Sequence, residues 1–269
     1  MSARLRHNEG VITLQSPNRI VTALVYPEFG ARIGSLIVGD QEIFITQATN
    51  GDPLSWGCYP MVPYAGRVRD ATLHFAGEQY SLRQNMAPHA IHGTVFDRPW
   101  HVIEISLSTV VLEIDLGTDW PFSGTVQHRI HLTDTCLDMQ LSVDALHAMP
   151  VQVGWHPWFV KPDSSTLRFA AMLPRDSVGI SMEQRVPQPS GPVDDCFTDP
   201  EKPLTITIGN VQAKLTSDCS HWVLYDMPVH ATCIEPQSGP PNSINDHPFV
   251  LSAGARLTKN FTIDLQQIT

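Results

Sequence analysis

Short apolar runs bounded by turn residues recur along this chain, and this pattern limits the possible folds more than any other feature. Residues 126–132 and 136–143 alternate apolar and polar side chains on either side of Thr133-Asp134-Thr135, as the two strands of a β-hairpin do. No extended stretch repeats apolar residues with the i, i+3, i+4, i+7 spacing of an amphipathic helix. We expect at most one or two short helices, for example around residues 144–147. The sequence therefore predicts an all-β fold of the sandwich or barrel type.

Further predicted strands continue this pattern along most of the chain. They cover residues 20–26, 41–45, 73–75, 79–82, 100–107, 110–116, 166–170, 204–208, 211–215, 222–225 and 256–265. A chain of 269 residues is within reach of one large all-β domain, and we predict a single domain over residues 1–269. The Pro-rich stretch 174–203 holds six prolines. We interpret it as an irregular excursion over one sheet face.

The charge balance argues against several classes of partner. Lys and Arg number 17 and Asp and Glu number 27, which gives a net charge of −10. No basic cluster is present that would neutralise the phosphates of nucleic acid or of an anionic membrane. No apolar run reaches the roughly 18 residues of a membrane-spanning helix, and Met1 to Gly10 lack the apolar stretch of a signal peptide. We predict no nucleic-acid or membrane partner, and a monomer or homodimer.

The cysteines indicate the compartment. Five cysteines, at wide spacing and without a CxxC pair, favour free thiols over a disulfide framework or a zinc site. We therefore predict a reducing compartment, the cytoplasm.

Neither a metal nor a cofactor is expected. His89 and His92, like His128 and His131, are three residues apart, and on a strand such a pair faces opposite sides of the sheet. The chain has no HxH or HExxH motif, no Gly-rich phosphate loop and no GxSxG nucleophile elbow. We predict no metal and no cofactor.

Four polar residues stand out, each in a short segment marked by aromatic, Pro or Gly neighbours: Arg67, His92, His156 and Glu235. Two imidazoles, a carboxylate and a guanidinium form a set suited to proton transfer on a neutral sugar. Each also has an ordinary alternative. For Arg67 the alternative is a surface ion pair, and for His92 it is a loop histidine without a functional role. The functional interpretation requires that the four side chains converge.

His156 and Glu235 each precede a proline. A residue before proline is pushed into extended geometry, and the proline cannot donate the next ladder hydrogen bond. We therefore expect both side chains where a strand ends or bulges, which are places that aim side chains into sites. Trp155 and Trp158 beside His156 suit packing against the C–H faces of a sugar, with core packing as the alternative for at least one of them. On a strand, Trp155 and His156 point to opposite faces.

Taken together, these segments resemble the aldose 1-epimerase (galactose mutarotase) family, from about residue 20 to the C-terminus. The resemblance implies that family's antiparallel β-supersandwich, a galactose mutarotase-like fold, which agrees with the strand pattern. The segments that carry it are Val25-Tyr26-Pro27-Glu28-Phe29-Gly30-Ala31-Arg32-Ile33-Gly34-Ser35-Leu36, Pro63-Tyr64-Ala65-Gly66-Arg67-Val68, Ile91-His92-Gly93, Gly154-Trp155-His156-Pro157-Trp158-Phe159, Val193-Asp194-Asp195-Cys196-Phe197 and Cys233-Ile234-Glu235-Pro236.

The resemblance also implies an activity, the cofactor-independent interconversion of the α and β anomers of an aldose. By this resemblance Glu235 is the general base that takes the proton of the C1 hydroxyl, and His156 is the general acid that protonates the ring oxygen. His92 and Arg67 hold the ring oxygen and neighbouring hydroxyls. We expect an ionised Glu235 at pH 7 and an imidazole on His156 that needs only a small upward pKa shift to stay charged.

Asp194 resembles the family's acidic residue that binds a sugar hydroxyl, and Asp195 suits that register less well. A solvated turn is the ordinary alternative for the two acids. Two positions depart from the family pattern: Gly66 stands where Asn is usual, and Trp158 stands where Tyr is common. The family's additional Gln contact to the sugar has no assigned position in this sequence. These departures leave the identity of the sugar open.

Several functions stay open from the sequence. A mutarotase for a phosphorylated or sulfonated sugar would need several arginines to converge, with Arg67, Arg69, Arg98 and Arg175 as candidates, and the net charge disfavours it. A non-catalytic carbohydrate-binding domain would not need the acid–base pair. A glycoside hydrolase, for example with Glu235 and Asp194, would need two carboxyl groups roughly 5–10 Å apart across the scissile bond. His156 opposite Glu235 would favour the mutarotase.

Overall fold

The structure is a computed structural model that describes residues 10–47, 51–201 and 203–268. Met1 to Gly10, the segment predicted to lack the apolar stretch of a signal peptide, lies outside the described residues except for Gly10. The strands are β1 (Ile12–Gln15), β2 (Val21–Tyr26), β3 (Arg32–Val38), β4 (Gln41–Glu42), β5 (Cys58–Met61), β6 (Arg67–Val68), β7 (Thr72–Phe75), β8 (Glu78–Ser81), β9 (Ala90–Ile91), β10 (His101–Ile105), β11 (Thr109–Asp115), β12 (Gly124–Leu132), β13 (Cys136–Ala145), β14 (Met149–Pro150), β15 (Gly154–Val160), β16 (Ser164–Thr166), β17 (Phe169–Leu173), β18 (Asp194–Pro200), β19 (Leu204–Ile208), β20 (Val211–Ser217), β21 (His221–Tyr225), β22 (Ala231–Gln237), β23 (Val250–Leu251) and β24 (Arg256–Gln267).

Helical structure in the described residues is short. It consists of one helical turn, α1 (Ser243–Asp246), and two 3-10 segments at Pro27–Phe29 and Arg69–Ala71. Across residues 10–47, 51–201 and 203–268, none of these is long and apolar enough to cross a membrane.

Two large antiparallel sheets organise the fold. The ten-stranded sheet, here called the site sheet, has the order β1-β2-β3-β5-β15-β22-β21-β18-β17, with β4 paired to β3. The eight-stranded sheet, here called the scaffold sheet, has the order β10-β11-β12-β13-β24-β20-β19-β16. The predicted all-β, antiparallel architecture with few short helices is confirmed.

The scaffold sheet follows the sequence pattern closely. The predicted hairpin at 126–132 and 136–143 forms as β12 and β13, in a continuous register from Gly124↔Ala145 to Leu132↔Leu137. Side chains of β12 alternate between buried and more exposed positions, as expected for a sheet with one face on the core. The short helix expected around 144–147 is wrong, because β13 runs to Ala145 and the next two residues form a bend. Asp144 continues β13 opposite Arg256 of β24, whose guanidinium donates two hydrogen bonds to the Asp144 carboxylate.

Three other predictions need correction at their boundaries. The strand expected at 166–170 falls across a break in the chain's extended structure, because β16 ends at Thr166 and β17 begins at Phe169. The strand expected at 41–45 is reduced to the two residues of β4. The Pro-rich stretch 174–203 is not irregular throughout, since its residues 194–200 form β18 in the site sheet.

The core lies between the two sheets. There the Trp155 ring lies against Phe261 of the scaffold sheet, with ring centroids 5.9 Å apart. The indole N–H of Trp155 donates to His128 Nε2 at 3.2 Å, so His128 carries its proton on Nδ1 and donates it to the Ala31 carbonyl at 3.2 Å. A smaller apolar cluster on the opposite face of the site sheet includes Tyr59, Trp158 and Cys233. The central strands of the site sheet are therefore covered on both faces.

Candidate active site

The ladder between β15 and β22 opens where two prolines meet. Gly154 pairs with Gln237 and Trp158 pairs with Cys233, but the ladder has no pairs between residues 155–157 and 234–236. Each proline in this gap lacks the N–H that would bond across it. The register on both sides of the gap places His156 opposite Glu235.

This arrangement corrects the expectation that both residues sit at a strand end or bulge. His156 and Glu235 lie inside their strands. The prolines open the ladder locally while the backbone stays extended, so two polar side chains face each other across adjacent strands.

The two side chains form a buried pair. His156 Nε2 lies 3.3 Å from Glu235 Oε1, and the residues are 5% and 2% exposed. Gln237 Nε2 donates to the other carboxylate oxygen of Glu235 at 3.0 Å. The imidazole is stacked between Tyr59, at 4.9 Å, and Trp158, at 5.4 Å between ring centroids. The rings and the amide hold both groups in place, an arrangement that suits proton transfer along a defined direction.

Arg67 and His92 reach the same place through a small two-stranded sheet. Arg67 of β6 pairs with Ile91 of β9, and the His92 N–H donates to the Gly66 carbonyl at 3.1 Å. His92 has a φ of 61°, and its ring meets the His156 ring edge-on at 4.8 Å. The two segments are thus neighbours in space although Arg67 and Ile91 are 24 positions apart in the sequence.

Gly93 explains the turn that follows. Its φ is 82°, and a Cβ on it would lie 1.9 Å from the Val62 carbonyl oxygen. Only glycine permits this approach. The close neighbour is backbone rather than ligand, and the contact fixes the backbone next to His92.

Asp194 enters from β18 and pairs with an arginine of the Pro-rich stretch. Arg175 Nη1 lies 2.5 Å from Asp194 Oδ1, and the Arg175 backbone N–H donates to Asp195 Oδ1 at 2.9 Å. The two neighbouring acids therefore have different roles. Asp194 lines the pocket with the guanidinium, whereas Asp195 positions the backbone of Arg175.

These side chains surround one pocket of about 270 Å³. This volume is near the lower end of small-molecule sites, which run from roughly 300 to 1,000 Å³, and it suits a single sugar ring. The described residues that line it are Asp52, Leu54, Ser55, Gly66, Arg67, Met86, Ile91, His92, His156, Trp158, Arg175, Asp194, Tyr225, Glu235 and Gln237. The structure therefore brings together six of the seven residues proposed from sequence.

Trp155 is the exception. It is fully buried in the core between the sheets, and it does not line the pocket. The reason is the two-residue period of a strand: His156 points to the pocket, so its neighbour points the other way. The proposal of Trp155 as a sugar contact is wrong, and Trp158 is the tryptophan on the pocket face.

Burial controls the charge of the pair. It raises the pKa of Glu235 to about 8, against a smaller opposing effect of Arg175. Burial also lowers the pKa of His156 to about 3 and holds the pKa of His92 well below its usual value. The expected upward shift of the imidazole pKa is therefore wrong, because desolvation disfavours the charged form of both partners.

The pair thus holds one proton at neutral pH, located on Glu235, with His156 neutral. The expectation of an ionised Glu235 at pH 7 is therefore also wrong. A carboxylate with an imidazolium contains the same number of protons. The two states differ by one proton transfer between atoms 3.3 Å apart.

Comparison with known proteins agrees with this geometry. The family model described as Aldose 1-epimerase matches residues 10–261. The chain belongs to the aldose 1-epimerase family. Membership of this family makes it a mutarotase-like, sugar-binding enzyme of the carbohydrate epimerase class.

Two curated relatives are both proteins of Escherichia coli K12 described as uncharacterized. YphB is 30% identical over 110 residues, which cover 38% of this chain and 36% of YphB, so the match spans about a third of that relative. YihR is 24% identical over 248 residues, which cover 80% of each chain.

Solved structures share the fold. The GalM/aldose epimerase homologue from C. elegans superposes with a TM-score of 0.84 at 16% identity, over 97% of this chain and 99% of that one. Galactose 1-epimerase from Lactobacillus acidophilus has a TM-score of 0.81 at 13% identity, over 99% and 98%.

The glycine that departs from the family pattern is explained by its neighbour. Gly66 has a φ of 70°, and a Cβ on it would lie 2.8 Å from Pro241 Cγ and 3.2 Å from Pro241 Cα. An Asn at this position would meet the proline ring. Pro241 therefore occupies the space that a side chain at position 66 would need.

The pocket residues that sequence reasoning missed include Gln237, Tyr225 and, as a specific partner of Asp194, Arg175. Gln237 had a usable signal, because it stands two residues after Glu235 and so faces the same side of a strand. Tyr225 ends a predicted strand and pairs with Asp194 in the register. Arg175 had no local signal, since it lies outside any strand and reaches the pocket through the fold.

Another cavity, of about 430 Å³, is larger than this pocket. Its walls include Leu173, Met182 and Phe249, and its polar side chains include Glu183 and His247, which lie 2.7 Å apart. We place the candidate active site in the smaller pocket because the acid–base pair and the arginines converge there.

Proposed function

We propose that this chain is a cofactor-independent mutarotase that interconverts the α and β anomers of an aldose. The observation that carries the proposal is the buried pair of His156 and Glu235, 3.3 Å apart on neighbouring strands, in a pocket the size of one sugar ring. An acid and a base on the two oxygens of one hemiacetal suit bifunctional proton transfer, in which each group contributes roughly 10²–10⁴-fold.

The reaction proceeds in two proton transfers. The Glu235 carboxylate takes the proton of the C1 hydroxyl while the His156 imidazolium gives a proton to the ring oxygen, and the bond between C1 and that oxygen breaks. The open-chain aldehyde rotates about C1–C2. The two groups then return the protons in reverse as the ring closes on the other face, so the enzyme regains its starting state.

The resting pair carries the one proton that this cycle needs. When the sugar binds, its hydroxyls and the positive charges of Arg67 and Arg175 replace part of the lost solvation of the Glu235 carboxylate, and both arginines act to lower the pKa of Glu235. This favours moving the proton from Glu235 to His156. Since the pKa of Glu235 is about 8, the pair loses its proton above that pH, and activity falls there.

The remaining pocket residues have binding roles in this proposal. Trp158 stacks on His156 and offers an apolar wall to the sugar. Asp194 accepts a sugar hydroxyl, and its carboxylate is oriented for this by Arg175. His92, held neutral by burial, and Arg67 contact the ring oxygen side of the substrate.

A second candidate, a mutarotase for an anionic sugar, is favoured by one observation. Of the four candidate arginines, Arg67 and Arg175 both line the pocket. Arg69 and Arg98 instead pair with Asp176 and Asp115. Asp194 pairs with Arg175, and Asp52 also lines the pocket, so the two arginines are matched by two aspartates. We therefore favour the neutral sugar.

The arrangement argues against the two alternatives from other classes. A binding domain has no need for a buried carboxylic acid whose pKa is raised to about 8 and a partner imidazole. A glycoside hydrolase needs a second carboxyl opposite Glu235, and the group there is the His156 imidazole.

Polarimetry of freshly dissolved α-glucose, α-galactose and α-glucose 6-phosphate tests the proposal. We expect the parent protein to accelerate equilibration of at least one neutral sugar more than that of the phosphate. A folded protein that leaves every one of these sugars at its spontaneous rate would refute the mutarotase. A faster rate for the phosphate would favour the second candidate.

We also propose that the protein acts in the cytoplasm, supported by five cysteines that are all unpaired, four of them buried. Cell fractionation with an antibody to the protein tests this location. Size-exclusion chromatography tests the proposed monomeric or homodimeric state.

A further inference from the structure

One side chain next to the acid–base pair has no part in the proposed reaction. Cys233 is fully buried, as a free thiol, two residues before Glu235 on the same strand. Residues two apart on a strand share a face, so Cys233 is on the pocket side with Glu235. It pairs in the register with Trp158, which stacks on His156.

The three donors form a cluster of the right size for a metal ion. One ligand atom each of His156, Cys233 and Glu235 lies within 4.8 Å of the others. Among the described residues, these three form the one group of at least three His, Cys, Asp or Glu side chains that could hold an ion. In tetrahedral zinc sites, Zn–N and Zn–O distances of roughly 2.0–2.2 Å put the N and O ligands about 3.3–3.5 Å apart. The His156 Nε2 to Glu235 Oε1 distance is 3.3 Å, and the Cys233 Sγ lies within 4.8 Å of the ligand atoms of both residues.

The donor types and charges also fit. Thiolate, imidazole and carboxylate are all ligands of Zn²⁺, and three protein ligands leave a fourth position open. A thiolate and a carboxylate balance the two positive charges of the ion, and a neutral cluster is the form that a buried pocket tolerates. The open position would face the pocket, through which the ion must enter.

We propose that His156, Cys233 and Glu235 form an inhibitory site for Zn²⁺ or a similar thiophilic divalent ion, which competes with the sugar for the acid–base pair. On binding, the thiol proton of Cys233 and the proton shared by the pair pass to the solvent, and the ion is bound by sulfur, nitrogen and oxygen. No redox change occurs. The inhibition rests on the proposed function, but binding of the ion does not.

No spacing motif in the sequence marks this cluster, because its ligands lie on two strands. The cluster joins Cys233-Ile234-Glu235, two ligands on one face of a strand, to a histidine on the neighbouring strand. Only the register of β15 and β22 shows that they meet.

Cobalt binding tests the site without reference to activity. We expect Co²⁺ added to the metal-free parent protein to give a thiolate-to-cobalt charge-transfer band in the near ultraviolet, with a stoichiometry of one ion per chain, and Zn²⁺ to displace it. Cys233→Ala should abolish the band and weaken Zn²⁺ binding in equilibrium dialysis by roughly 10²-fold or more, since it removes one of three protein ligands. Cys219→Ala removes another buried thiol, away from the pocket, and should bind like the parent.

The second readout is inhibition. In metal-free buffer Cys233→Ala should retain mutarotase activity near the parent's, because Cys233 does not line the pocket, while Zn²⁺ should inhibit the parent reversibly and the variant at least tenfold less. Cys233→Ser, which keeps the size of the side chain, guards against loss of folding. A Co²⁺ complex of the parent without the thiolate band, or equal Zn²⁺ binding by parent and Cys233→Ala, would overturn the site. A parent that binds metal through Cys233 but equilibrates no sugar would leave the site standing and refute the mutarotase.

Discussion

The two sheets differ in how their faces are covered, and this difference separates stability from function. In the scaffold sheet β20 alternates strictly between buried and exposed positions over Val211–Thr216, because one face packs on the core and the other meets water. In the site sheet, β5 and β22 are buried at every position. One face of these strands packs on the core, and the other carries the pocket. The site sheet carries the His156–Glu235 pair, and the scaffold sheet supports it from the other side of the core.

The largest effect is expected where the ladder of the site sheet opens. Glu235→Gln and His156→Asn each remove one proton-transfer group while keeping size and shape, so each should lower the mutarotation rate by roughly 10²–10⁴-fold. Both variants should stay folded, because the core between the sheets is unchanged. Polarimetry and thermal unfolding measure the two halves of this prediction. A variant that keeps the parental rate would contradict the acid–base roles assigned to Glu235 and His156 on this sheet.

The converse experiment is a core truncation in the scaffold sheet. Leu141 of β13 is fully buried, so Leu141→Ala should destabilise the fold by about 2–5 kcal/mol, from lost apolar burial and a residual cavity. The rate per folded molecule should stay within about twofold of the parent's. Urea unfolding and polarimetry below the transition check both values. A large loss of rate in the folded variant would show that the scaffold sheet also shapes the site.

A matched pair of tryptophan variants tests the boundary between the two faces of β15. Trp155→Phe leaves His128 Nε2 buried without its donor, which costs about 1–3 kcal/mol, and should leave KM for the sugar unchanged. Trp158→Phe should raise KM, because Trp158 lines the pocket. Steady-state polarimetry with chemical unfolding compares the two. If Trp155→Phe raises KM at unchanged stability, our correction of its role is wrong.

The smallest expected effect concerns the pH dependence of stability. Glu235 has a folded-state pKa of about 8, above its ordinary 4.5, so the folded state binds its proton more tightly than the unfolded state. The stability that this proton provides is complete below about pH 4.5 and is lost as the pH rises through about 8. Glu235→Gln cannot lose this proton. Its free energy of unfolding relative to the parent should therefore rise between pH 5 and pH 9 by about 1.4 kcal/mol or more, the worth of one pKa unit.

Urea unfolding of parent and variant at both pH values gives this difference. His156→Asn serves as the reference, since it retains Glu235. A difference between Glu235→Gln and parent that does not change with pH would contradict the raised pKa.

The contrast between the sheets also explains what the sequence predicted well. Seven of the eight scaffold strands, all but β16, have both ends within two residues of their predicted ends. One face of the scaffold sheet meets water and the other packs on the core, so apolar and polar residues alternate in the sequence of these strands. The strands β5, β15 and β22 have two covered faces and contain prolines, so they show neither alternation nor an uninterrupted apolar run. No strand bounds were predicted there, although His156 and Glu235 were expected at a strand end or bulge.

The site was predicted differently from the fold. Arg67, His92, His156 and Glu235 were singled out by their neighbours in the sequence, and Trp158 by its place beside His156. Resemblance to a family supplied the catalytic and binding roles and that of Asp194, and all six residues line one pocket. The charges of the pair, by contrast, depend on burial, which no local sequence feature reports. The same holds for Arg175 and Cys233, whose positions follow from strand order and register rather than from their neighbours in sequence.

The most direct test of the account is a double-mutant cycle on His156 and Glu235, measured as the rate of mutarotation of the preferred sugar. If the two side chains act as one proton-transfer unit, each single variant disables the unit, and the variant with both Glu235→Gln and His156→Asn should be about as slow as the slower single variant. Losses that multiply in the double variant, or a single variant as fast as the parent, would contradict the account.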